Sequence, residues 1–152
     1  MLCRRLLSLV LILIVAVNIA DAQEKDPSEN VVINKGKKTQ VRSENDGKLI
    51  ITVSKRDASK FKTRGHVRYS DFGAVGDGKT DDFDAIAATH TYANQHNLSV
   101  KADEKATYYI GGKDNSAVIR TNTDFGTASF IIDDTNVQDR NTPVFLVNSG
   151  LK

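Results

Sequence analysis

The sequence predicts a mainly β fold carrying one amphipathic helix. Phe83, Ile86, Ala87, His90 and Ala93 recur at spacings of three and four, the signature of a single apolar helix face. Short strand-like runs follow, separated by Gly, Asn and Asp, and no second helical pattern appears after Asn97. Ahead of the helix, Gly73, Gly76 and Gly78 mark a sharp turn that delivers the chain into it.

Residues 1–22 read as a signal peptide. Arg4 and Arg5 form a basic start, Leu6 to Val17 is apolar apart from Ser8, and Ala20-Asp21-Ala22 offers small residues for cleavage. The apolar run is short against the about 20 residues that span a bilayer. The chain is therefore expected to be secreted, or periplasmic in a bacterium, with no membrane attachment after cleavage. The one cysteine, Cys3, falls in this segment, so the remainder has no disulfide, thiol nucleophile or thiolate metal site.

Residues 23–65 read as a basic, weakly structured arm. Residues 23–70 carry 12 Lys/Arg against 6 Asp/Glu, whereas residues 71–152 carry 7 against 12. Such an arm can meet nucleic acid, an anionic polysaccharide or the chain's own acidic half. Aromatic residues are not interleaved with the lysines, which argues against a nucleic-acid platform. Within the arm only Val31–Ile33 and Leu49–Val53 have strand character, and residues 54–65 read as linker.

From His66 the texture changes. Thr80 is the expected helix cap, with Asp81 and Asp82 in the first turn favoured by the helix dipole. The helix is expected to stop near Asn97. Strands are then expected at 98–100, 107–110, 117–120, 129–132 and 144–147.

Gly73 to Thr80 match the phosphate-loop pattern G-x-x-x-x-G-K-[ST], and Phe130-Ile131-Ile132-Asp133 would serve as the magnesium-holding strand of a nucleotide hydrolase. Three features oppose that reading. The strand feeding the loop, Val67 to Phe72, is too polar for the centre of a covered parallel sheet. Asp77, Asp81, Asp82 and Asp84 crowd the place where polyphosphate would dock. The crossover helices of a doubly wound sheet are missing from residues 98–150.

With its flanks, Tyr69-Ser70-Asp71-Phe72-Gly73-Ala74-Val75-Gly76-Asp77-Gly78-Lys79-Thr80-Asp81-Asp82 resembles the opening of the pectate-lyase superfamily, which includes polygalacturonases and rhamnogalacturonases. Thr107-Tyr108-Tyr109-Ile110 and Asp124-Phe125-Gly126 extend the resemblance over roughly residues 66–150. It implies a right-handed parallel β-helix whose first coils occupy residues 66–152, with the helix laid across its open end as a cap. Asp71 and Asp77 would then bond to nearby backbone N–H groups in Asx-type turns, leaving Lys79 solvated.

The resemblance also implies a function: hydrolysis or elimination on acidic polysaccharide. Hydrolases of this kind use paired carboxylates, about 6.5–9.5 Å apart in inverting enzymes; lyases use calcium and a basic residue. No position here matches the family's catalytic motifs, so catalytic and substrate-binding residues are unassigned. About two coils fit, fewer than the roughly three a solenoid core needs. The chain is thus expected to be the N-terminal portion of a longer enzyme, inactive alone. A non-catalytic carbohydrate-binding or adhesion module is the alternative, and a phosphate-loop protein the remote one.

Other residues give bland readings. Asp133-Asp134 is better placed as a turn at a strand's end than as a carboxylate pair, because strand neighbours face opposite ways. His90 is expected to be buried and hydrogen-bonded, while His66 and His96 lack partners at metal-ligand spacing. Gly76-Asp77-Gly78 with Asp81 and Asp84 lacks the alternation of a calcium loop. Tyr108 and Tyr109 could stack on sugars, though one of the two should face the core. Asn97-Leu98-Ser99 is a glycosylation sequon if the host is eukaryotic. No metal or cofactor is expected.

Overall fold

Leu49–Ser54 (β3) is the strand around which the first part of the chain assembles. Alternation buries Leu49, Ile51 and Val53 on one face. Val31–Gly36 (β1) pairs with it in parallel and Gln40–Ser43 (β2) antiparallel, giving a three-stranded mixed sheet in the order β1-β3-β2. The computed structural model describes residues 31–45, 48–112 and 115–148; residues 1–22, read from sequence as a signal peptide, lie outside the described residues.

β3 runs directly into helix α1, Lys55–Arg64. Ser54 Oγ accepts the Asp57 N–H at 3.0 Å, Gly65 closes the helix in the left-handed region (φ 73°), and Lys62 and Arg64 sit at its negative end. Phe61 is its one buried residue, packed against Phe72 and Tyr92 with ring centroids 5.8 Å away in each case. The weakly structured arm expected over 23–65 is therefore corrected for its described part: three strands and a helix occupy it.

The chain continues through His66–Arg68 (β4), a 3-10 turn at Tyr69–Phe72, Asp77–Asp81 (β5) and helix α2, Phe83–His96. Strands Ser99–Lys101 (β6), Thr107–Gly111 (β7), Ala117–Ile119 (β8), Thr123–Asp124 (β9), Ser129–Asp133 (β10) and Phe145–Val147 (β11) follow. Three further small sheets form from these, ordered β4-β6-β9, β5-β7-β10 and β8-β11, all with parallel pairing.

The right-handed parallel β-helix expected from the resemblance is overturned. The described residues form four sheets of two or three strands and two α-helices, with mixed pairing in the first sheet. No solenoid is present among the described residues. The helix expected to cap an open end is instead an internal element. Residues 85–93 of α2 are all buried, and α2 touches the N-terminal sheet as well as β4, β6, β7 and β8. A cap needs one apolar face, but α2 has walls on several. Its polar residues adapt to that: Thr89 and Thr91 donate back to the carbonyls of Ala85 and Ala87 at 2.7 and 2.9 Å.

Candidate functional site

Glycines 73, 76 and 78 all have positive φ (99°, 68° and 73°), so the octapeptide does turn sharply. It does not open a helix. Residues 77–81 form β5, and α2 starts two residues later with Asp82, not Thr80, at its N-cap position. The N–H groups a phosphate would need are occupied from within. Asp82, 1% exposed, accepts from Val75 N at 2.6 Å and Gly76 N at 3.1 Å. Asp77 accepts from the N–H groups of Lys79 and Thr80 at 2.9 and 2.8 Å, bonds that hold its carboxyl below the usual range. Asp71 accepts from Arg68 N at 2.7 Å and pairs with Arg64. The chain's own carboxylates fill the role of phosphate, and Lys79 lies exposed on β5.

The remaining sequence candidates are scattered. His90 is fully buried and shares a hydrogen bond with the Tyr69 hydroxyl, 2.9 Å from Nε2. Burial pushes its imidazole down to about 4. His66 sits beside the Arg64 carbonyl and His96 against the Tyr92 ring. Asn97 is exposed as the left-handed C-cap of α2 (φ 51°), and Ser99 opens β6. Tyr108 is core: 1% exposed, its hydroxyl donates to Asp103 at 2.8 Å. Tyr109 faces outward, half-buried, and donates to Asp133 Oδ2 at 2.7 Å. Asp133 also accepts from Thr135 N at 3.0 Å, and these bonds hold its carboxyl down at about 2. It is therefore an acceptor at any ordinary pH and no proton donor.

Sequence reading left one feature unassembled. At the carboxyl ends of the parallel strands β1 and β3, the β1–β2 turn and the start of α1 enclose an open cleft of about 890 Å³. Six cations line it: Lys35, Lys37, Lys38, Lys55, Arg56 and Lys60. Gly36 makes the close approach possible, since a Cβ there would lie 2.2 Å from Thr52 Cγ2. The two carboxylates in the lining are already engaged. Asp57 Oδ2 accepts from the Ser54 and Thr39 hydroxyls, each at 2.7 Å, and these bonds lower its pKa. Asp71 belongs to Arg64. Asp57 thus pins the lysine-bearing turn to the helix, while none of the six cations forms an ion pair among the described residues. The lysines were visible in sequence; what joins them in space is the β1-β3 register, Gly36 opposite Ser54.

Among the described residues, no group of three or more His, Cys, Asp and Glu could hold a metal ion. No described helix is long and apolar enough to cross a membrane. No protein family, curated protein or solved structure matches the chain.

Proposed function

We propose that this is an exported protein that binds an acidic polysaccharide in the cleft between the β1–β2 turn and α1. One observation carries the reading: six cations converge on one concave surface whose two carboxylates are each held by internal partners. Exposed ammonium groups spaced along a groove attract a polyanion through summed, screened Coulomb terms, and they need no base-specific or stacking contact. The cleft's cations come from two chain segments, residues 35–38 and 55–60, so they form a spread basic surface and not a single-ion pocket. The resemblance of residues 69–82 to the pectate-lyase superfamily supplies the polymer class, a uronate chain. The leader-like residues 1–22 supply the compartment.

The test is affinity electrophoresis in gels containing polygalacturonate, with dextran as the neutral control. Binding to polygalacturonate should weaken by at least about tenfold between roughly 50 and 200 mM salt. The variant Lys37→Glu/Lys38→Glu/Lys60→Glu should lose it while keeping its melting temperature. Equal retardation of the variant would remove the cleft from the account. Equal affinity for a DNA duplex would leave only generic polyanion attraction.

A further inference from the structure

We infer that the outer face of the β5-β7-β10 sheet is a second carbohydrate site, a neutral-sugar platform built on Tyr109. It does not depend on the basic cleft. The parallel register lines Asp81, Tyr109 and Ile131 across three strands on one face, with Gly111 and Asp133 in the next row. Tyr108, their neighbour, is committed to the core, so the Tyr-Tyr pair divides its labour between the two faces.

A half-buried tyrosine on a strand is ordinary; the surroundings of this one are not. Its hydroxyl is fixed by the 2.7 Å bond to Asp133, so the ring has one preferred lie. Gly111 stands beside it where a side chain would otherwise crowd the face. A Cβ there would come within 2.9 Å of Asp81 Oδ2 and 3.6 Å of Tyr109 Cε1. Ile131, 45% exposed, is the register partner of Tyr109 on β10 and adds apolar surface to the same face. A pyranose presents a sheet of C–H groups ringed by hydroxyls. The C–H face suits the negative face of the phenol ring. Of the flanking carboxylates, Asp81 already accepts from the N–H groups of Phe83 and Gly111, and Asp133 accepts from Tyr109 and Thr135. With four lone-pair sites, Asp133 can take a further charge-assisted bond from a sugar hydroxyl beside the ring.

The same carboxylates select the ligand class. Asp81 and Asp133 would repel a uronate, so the platform takes uncharged sugar and the cleft takes the acidic polymer. A polysaccharide with both kinds of residue, or two polymers at once, could be held on separate faces of one molecule.

Affinity electrophoresis of the purified protein in gels containing neutral xylan or neutral galactan tests this. Retardation by at least one of the two is expected, and it should persist at salt concentrations that abolish polygalacturonate binding. Tyr109→Ala should weaken it by about tenfold, the scale of one aromatic stacking contact, and leave polygalacturonate binding unchanged. Tyr109→Phe keeps the ring and should retain most of the affinity; Ile131→Glu on the same face should lose it, covering the case in which Tyr109→Ala misfolds. No retardation by either polymer, or retardation unaffected by Tyr109→Ala and Ile131→Glu, would overturn the platform. Loss of polygalacturonate binding alone would bear on the cleft and not on this face.

Discussion

His90 shows how one side chain converts burial into pH dependence. Its imidazole is enclosed by Tyr69, Phe145 and the body of α2, with Nδ1 unpartnered among the described residues. Protonation would put a charge where nothing solvates it, which is why its pKa falls to about 4 from the ordinary 6.5. The unfolded chain takes up the proton first as pH drops. Stability from the neutral imidazole is therefore complete above pH 6.5, declines between 6.5 and 4, and levels off below. A separation of that size corresponds to about 3 kcal/mol. Urea unfolding at pH 7 and pH 4.5 should show this loss beyond any carboxylate contribution, and His90→Gln should flatten that part of the profile. A pH-independent difference between the two proteins would refute it. The burial of His90 was legible from its place in the apolar stripe; its Tyr69 partner, 21 residues away, was not, because sequence spacing carries no record of which loop folds over a helix.

At the scale of elements, the helices divide what sequence could and could not reveal. α2 ends at His96 with Asn97 as its cap, where the periodic pattern stops. Its start moved from Asp81 to Phe83, and its N-cap from Thr80 to Asp82, because Asp77–Asp81 pairs with β7 as a strand, and pairing outweighs the local preference for a cap. α1 was missed although its signals were present: Ser54 and Asp57 at capping spacing, and Gly65 past the last turn. One buried residue, Phe61, gives almost no periodic stripe, and a run of Lys and Arg resembles linker. Ser54→Ala should cost about 1 kcal/mol through the lost cap. Because Ser54 also donates to Asp57, it should loosen the lysine turn as well, seen as a lower melting temperature together with weaker polygalacturonate binding. A stable variant with unchanged binding would mean that the Ser54–Asp57–Thr39 contact does not organise the cleft.

The molecule as a whole is arranged around α2, with the mixed sheet and α1 on one part of its surface and the parallel sheets on others. This is why the solenoid expectation failed. The motif at 69–82 carries no trace of the N-terminal strands, which pack against α2 from outside its own stretch of sequence. Five of the six strands after residue 98 were legible from apolar runs between turn residues; β9, two residues long, was not. Nor was the docking of residues 31–54, since β1, β2 and β3 contact a helix that begins 29 residues after β3 ends. Removing residues 1–65 should strip one wall from α2 and expose Tyr92, which packs against Phe61. The product is expected to lose cooperative thermal unfolding by circular dichroism; a sharply melting 66–152 fragment would restore the reading of residues 23–65 as an arm.

The turn closed by Asp82 has a consequence for how dependable this region is. A loop shaped by a bound phosphate is only as ordered as the ligand is abundant, and dilution disorders it. Asp82 is tethered six and seven residues from the N–H groups it serves, so its effective concentration there is fixed by the chain and does not fall when the surroundings change. The octapeptide that looks most dependent on a small molecule thus has its counter-ion built in, and its shape does not depend on that molecule's concentration.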